Sequence, residues 1–104
     1  MSLRLTTTEL ADSDIRDIAT YIALNNAHAA RLFGRELWER FQAICQTPQI
    51  GRSVPGYGNL RVVRVSGRFW RYLLLYRLPD SETLEVVRVL HGARDLTALL
   101  HDIL

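Results

Sequence analysis

The stretch "WRYLLLYRLPDSETLEVVRVL", Trp70–Leu90, decides how this chain folds. It holds two apolar runs, Trp70 to Leu78 and Leu84 to Leu90, separated only by "PDSET". A link that short forces neighbouring strands to run antiparallel, and Pro, Asp and Ser are turn-forming residues. The first run is apolar on both faces, so its strand is expected to be covered on both sides. Upstream, "LRVVRV" (60–65) precedes it across "SGRF" and reads as a third strand of the same meander.

Working toward the N-terminus, "TPQIGRSVPGYGN" (47–59) carries two Pro and three Gly and reads as loop. A domain boundary there is rejected, because neither side would hold enough core alone, and residues 1–104 read as a single domain. Before it, Ala30, Phe33, Leu37, Phe41, Ile44 and Cys45 form one stripe of a helix over 27–46, with Arg31, Arg35, Glu39 and Arg40 off it. An earlier helix over about 8–25 places Leu10, Ile15, Ile18 and Ile22 inward, with Thr6 and Glu9 as a capping box. At the junction, one of Asn25 and Asn26 is expected to end the first helix in the left-handed region and the other to cap the second. Two amphipathic helices so joined form an antiparallel hairpin. "LRLTT" (3–7) reads as an opening strand, and "LTALLHDIL" (96–104) as a short closing helix. The expected fold is α+β: a helical hairpin on one face of a small antiparallel sheet, in the order β-α-α-β-β-β with a short C-terminal helix.

Charge is distributed unevenly. From residue 1 to 50 there are five Arg against six acids; from 51 to 104, eight Arg against five acids. Between Gly51 and Arg77 lie six Arg (52, 61, 64, 68, 71, 77) and no acid, which suits an anionic partner. The single cysteine, Cys45, rules out an internal disulfide, and no Cys/His spacing suits zinc. No metal or other cofactor is therefore expected. No apolar run reaches the length of a membrane span and no signal pattern opens the chain, so a cytoplasmic protein without a membrane partner is expected.

The residues after the last strand, "HGARD" (91–95), admit two readings. Histidine is the side chain most often used as a base, and His91 sits close in sequence to Arg94 and Asp95, so it is a candidate base. Alternatively His91 ends the strand, Gly92 permits a turn and Asp95 caps the closing helix, leaving Arg94 to bind. The second reading is preferred. His28 and His101 read as surface residues, Cys45 as an inert core thiol, and Trp38 and Trp70 as packing residues. Trp70 beside Arg68 and Arg71 has the further option of stacking on a partner.

With "DIRDIATYIA" (14–23), "PQIGR" (48–52), "LRVVRV", "RYLLLYRL" (71–78) and "VVRVLHGARD" (86–95) in this order, the chain resembles the ParE/RelE superfamily of type II toxin–antitoxin toxins, and its last motif the ParE branch. The resemblance implies inhibition of DNA gyrase by protein–protein binding, and neutralisation by a cognate antitoxin with an acidic C-terminal segment. The RelE branch instead cleaves mRNA on the ribosome, using an Arg three residues before the strand tyrosine and a Tyr six residues after a distal Arg. Here those positions hold Leu73, before Tyr76, and Leu100, after Arg94. Arg61 and Arg64 could replace that branch's lysines as phosphate ligands but not as proton carriers. The gyrase reading therefore assigns no catalytic residue and takes Arg61, Arg64, Arg71, Arg77, Arg88 and Arg94 as partner-binding. The nuclease alternative would rest on His91, Arg94 and Arg71.

Overall fold

A computed structural model describes residues 2–92. Its five strands are β1 (Arg4–Thr7), β2 (Arg52–Ser53), β3 (Arg61–Arg64), β4 (Tyr72–Arg77) and β5 (Thr83–His91); its two helices are α1 (Glu9–Asn25) and α2 (Ala27–Gln46). They build one sheet in the order β1-β5-β4-β3-β2. The expected meander of β3, β4 and β5 is present and antiparallel. The sheet is nonetheless mixed, since β1 joins it parallel to β5, with Arg4 opposite Thr83 and Thr7 opposite Val86. The expected closing helix, with Arg94, Asp95 and Leu100, lies outside the described residues.

Both helices cover one face. Ala11 of α1 and Phe33, Leu37, Phe41, Ile44 and Cys45 of α2 pack with Val65, Leu74, Tyr76, Leu84, Val86 and Val89. At the start of α1 the cap is Thr8, not Thr6: its hydroxyl accepts from Ala11 N–H at 3.0 Å and donates to Val87 O at 2.7 Å. Thr6 cannot cap because β1 runs on to Thr7. Leu10, expected inside, is 55% exposed, and Ala11 takes the inward place at 0%. Ala11, Ile15, Ile18 and Ile22 follow helical spacing, which Leu10 to Ile15 does not. Between the helices neither Asn adopts a left-handed conformation. Asn25 is the last residue of α1, and extended Asn26 caps α2 by accepting from Ala29 N–H at 3.0 Å.

The segment 47–59, expected as loop, does more than connect. It contains a 3-10 turn (Pro48–Ile50), the two-residue β2 and a reversal with positive φ at Gly56 and Gly58. It also covers the second face of the sheet, where its Val54, with Leu60 just beyond the segment, buries against Val62, Leu73, Leu75 and Leu90. That is why β4 is apolar on both sides. Tyr76, fully buried, fastens this cover: its hydroxyl donates to Pro48 O (2.6 Å) and accepts from Gly51 N–H (2.8 Å). A Cβ on Gly51 would collide with the Tyr76 hydroxyl, so glycine is required there by close approach.

A bulge in β5 aims one more side chain. Leu75 pairs with Arg88 and Tyr76 with Val86, leaving Val87 as the extra residue. Arg88 reaches α1, where its Nε and Nη2 donate to the Asp14 carboxylate at 2.6 and 2.9 Å. The same carboxylate accepts from Val89 N–H at 3.0 Å, so α1 supplies the bond that β1 is too short to make.

Candidate functional site

The structure divides the arginines into those occupied within the fold and those left exposed. Arg61 donates to Gly51 O at 2.6 Å and holds the 47–59 cover. Arg77 pairs with Glu85 across the β4–β5 hairpin at 2.8 Å. Arg88 is held by Asp14, and that bond raises its pKa further above the ordinary arginine value. Arg94 lies outside the described residues. Of the six arginines expected to bind a partner, Arg64 and Arg71 remain exposed without an acidic partner among the described residues.

These two meet at Trp70. The guanidinium carbons of Arg64 and Arg71 stand 5.6 and 5.5 Å from the indole centroid, within cation–π range. Arg64 Nη1 also donates to Trp70 O at 2.8 Å. Trp70 is 54% exposed rather than packed, because the preceding 3-10 turn (Gly67–Phe69) turns Phe69 into the core instead. Trp38 is likewise exposed, against the packing role expected for it. Arg52, also exposed, adds a cation at a hollow shared with Arg64, and Arg68 is exposed; the acid-free run signalled both, although neither was among the six residues expected to bind a partner.

Around this cluster the surface is hollowed. Arg64, Trp70, Arg71 and Gly92 line a recess of about 240 Å³. A larger hollow of about 410 Å³ has Val62, Val63, Leu73 and Ile50 as apolar lining and Arg52 and Arg64 as cations. Gly92 is needed at this end: a Cβ there would stand 2.8 Å from the Arg71 carbonyl oxygen, to which Gly92 N–H donates.

Of the residues of the nuclease alternative, His91 and Arg71 line different recesses, and Arg94 lies outside the described residues. His91 packs edge-on against Tyr72, 5.2 Å between ring centroids, and lines a groove of about 440 Å³ beside α1. Arg71 lies in the separate recess at Trp70. Burial raises the Tyr72 phenol above its ordinary value, with Tyr21 adding to the effect and Arg71 opposing it. Leu73, where the nuclease pattern places an arginine, is buried at the hollow beside Arg64. Burial also raises the Cys45 thiol, as expected of an inert core residue. Among the described residues no three His, Cys, Asp or Glu side chains are grouped to hold a metal ion, and no helix is long and apolar enough to cross a membrane.

What fold and surface define together is a small α+β protein presenting a cationic, aromatic-centred face. The family model for the ParE toxin of the type II toxin–antitoxin system parDE matches residues 5–96, and the chain belongs to that family. A search of the curated proteins finds no match. Among solved structures, the chromosomal ParDE system of P. aeruginosa is similar at 17% identity and a TM-score of 0.68, covering 86% of this chain and 96% of that one. The RelBE2 toxin–antitoxin complex of Mycobacterium tuberculosis follows at 22% identity and 0.59, covering 88% and 99%. TrmO of P. aeruginosa is similar at 16% identity and 0.51, but only 33% of that chain is covered against 85% of this one. At these identities the structures testify to the fold alone.

Proposed function

We propose that this toxin acts by binding DNA gyrase and is neutralised in the cytoplasm by an antitoxin whose acidic segment docks on the Arg64–Trp70–Arg71 surface. The observation that carries the docking reading is the exposed indole with two guanidiniums in cation–π range that have no acidic partner among the described residues. Such a cluster is pre-organised for carboxylates, since the ring fixes the cations without neutralising them. The gyrase reading is supported by membership of the ParE family and by His91 and Arg71 lining different recesses. Tyr76 is buried and bonded on both sides, Arg61 is occupied, and His91 and Arg71 line different recesses. A RelE-type ribosome-dependent mRNA endonuclease is the second reading, favoured by the edge-on Tyr72–His91 pair beside a groove.

One experiment separates them. Toxin purified away from antitoxin is assayed for inhibition of gyrase supercoiling and, in parallel, for mRNA cleavage on programmed ribosomes. Supercoiling inhibition that survives His91→Ala is expected. Ribosome-dependent cleavage abolished by His91→Ala, with gyrase unaffected, would replace this reading with the second one. For docking, Arg71→Glu should weaken antitoxin binding and flatten its salt dependence. Equal affinity and equal salt dependence in wild type and variant would remove the Arg–Trp surface from the reading.

A further inference from the structure

The face of the sheet turned away from the helices carries a line of cations without acidic partners among the described residues. Arg52 of β2 lies opposite Val62 of β3, and Arg64 follows two residues further on, opposite Leu73. Val62 and Leu73 bury on that face. Side chains alternate along a strand and face the same way across it, so Arg52 and Arg64 share the face with them. Both arginines line the 410 Å³ hollow. Arg64 and Gly92 line the smaller recess as well, where Trp70 and Arg71 complete the wall, so the two hollows share a side. The result is a track from Arg52 through Arg64 to Arg71, with an indole at its end.

Carboxylates would answer these cations and leave the indole unused. A duplex nucleic acid would answer them too, but its bases are stacked inside it. A single strand brings phosphates and free base faces together, and base stacking on an exposed aromatic ring is how such strands are held without regard to sequence. Trp70 keeps 54% of its surface exposed with both guanidiniums in cation–π range, so ring surface remains for a base. The bond from Arg64 Nη1 to Trp70 O fixes one cation beside that ring. We infer that this face binds single-stranded DNA, with one base stacked on Trp70 and the backbone phosphates on Arg52, Arg64 and Arg71. The choice of DNA rests on the gyrase reading above, because a toxin seated on gyrase stands beside DNA. The cations are those assigned above to the antitoxin's carboxylates, so the two ligands exclude one another.

The test uses the full-length toxin, free of antitoxin and gyrase, and labelled ten-nucleotide probes: single-stranded DNA, the same DNA as a duplex, the same sequence as RNA, and an abasic DNA that keeps every phosphate. Single-stranded DNA should bind most tightly. Trp70→Ala should weaken it about 5- to 100-fold, the range set by one stacked base, while Trp70→Phe retains most of the affinity. The abasic strand should bind wild type as weakly as DNA binds Trp70→Ala, and lose nothing further in that variant. The logarithm of affinity should fall with the logarithm of salt at a slope of about −2 for three phosphate contacts, and of about −1.4 in Arg71→Ala. DNA and abasic strand bound alike, with Trp70→Ala unaffected, would reduce the surface to a bare charge patch and overturn the stacking site. Tighter binding of the duplex or of RNA would overturn the assignment to single-stranded DNA. No binding at low salt, with gyrase supercoiling still inhibited, would overturn this inference and leave the gyrase reading standing.

Discussion

Asp14→Ala should cost this fold more than any exposed charge substitution. The carboxylate receives three hydrogen bonds, two from the Arg88 guanidinium and one from Val89 N–H, and the two side chains are only 15% and 21% exposed. Removing it leaves a mostly buried guanidinium unpaired and opens the edge of β5. Breaking a fully buried pair costs about 3–5 kcal/mol, and a hydrogen bond to a charged group contributes about 1.5–3 kcal/mol. Residual exposure lets water reach Arg88, so the lower part of that range applies, at about 2–3 kcal/mol. Against a total stability of about 5–15 kcal/mol that is a large fraction. In thermal terms it corresponds to a fall of roughly 8–20 °C for a domain of this size. Asp14→Asn keeps an acceptor for Val89 and loses the charge, so it should fall about midway. Urea unfolding followed by circular dichroism reads the effect as a lower midpoint with an unchanged slope. A loss under about 0.5 kcal/mol for Asp14→Ala, the range of ordinary surface substitutions, would show that α1 is held to the sheet by its apolar stripe alone.

Tyr76→Phe deletes the donor to Pro48 O and the acceptor for Gly51 N–H inside a closed site, at an expected cost of about 2–4 kcal/mol; hydrogen exchange should quicken first over 48–54, and unchanged exchange there would argue against the fastening role. Burial raises Tyr76, Tyr72 and Cys45 above their ordinary values, so the unfolded chain ionises first as pH rises: the stability they contribute is complete below about pH 8.5, the ordinary cysteine value, and is lost on the alkaline side. The urea midpoint should therefore fall between about pH 9 and 11, and a flat profile would contradict that burial. Gly92→Ala places a Cβ against the rigid Arg71 carbonyl and should cost about 1–3 kcal/mol in the same assay, whereas a neutral result would mean that the strand end can move aside. Trp70→Ala and Arg71→Glu should each leave the melting temperature within about 2 °C while weakening partner binding, and a large stability loss would reassign the cluster to the fold.

The sequence was most legible where periodicity was strong and least where a contact joined distant positions. The bounds of α2, 27–46, could be read from its stripe and from Asn26, because an amphipathic helix declares itself within its own length. The start of α1 was misread for a local reason. Hydropathy favours Leu10 for the core, but the position facing the sheet at helical spacing from Ile15 is Ala11. The parallel pairing of β1 with β5 had no local signal, since about eighty residues separate the strands and no turn couples them. The second-face role of 47–59 left a weak trace in Val54 and Tyr57, which its Gly and Pro content overrode. The same distance problem governed the arginines. Composition showed an acid-free run of six that includes Arg61, yet Arg61 bonds a carbonyl 10 residues away, and Arg88, outside that run, pairs with an acid 74 residues away. Only Arg77 with Glu85 could have been anticipated from a hairpin register.

That division bears on what the family motifs encode. "PQIGR" meets Tyr76 of "RYLLLYRL" and Arg61 of "LRVVRV": the phenol bonds Pro48 and Gly51, and the Arg61 guanidinium bonds Gly51 O. Gly92 of "VVRVLHGARD" bonds the carbonyl of Arg71. Asp14, at the head of "DIRDIATYIA", bonds Arg88 and Val89. Nearly every motif residue with a definable contact holds one part of the scaffold to another. Trp70 lies just outside these motifs, and Arg64 and Arg71 lie within them with no acidic partner among the described residues. A motif match of this kind therefore reports the scaffold with high specificity and the target with much less. On the docking reading proposed above, what distinguishes one partner from another belongs to the exposed cluster that the scaffold presents. Exchanging those residues should consequently redirect binding while leaving the fold, and the match to the family, as they are.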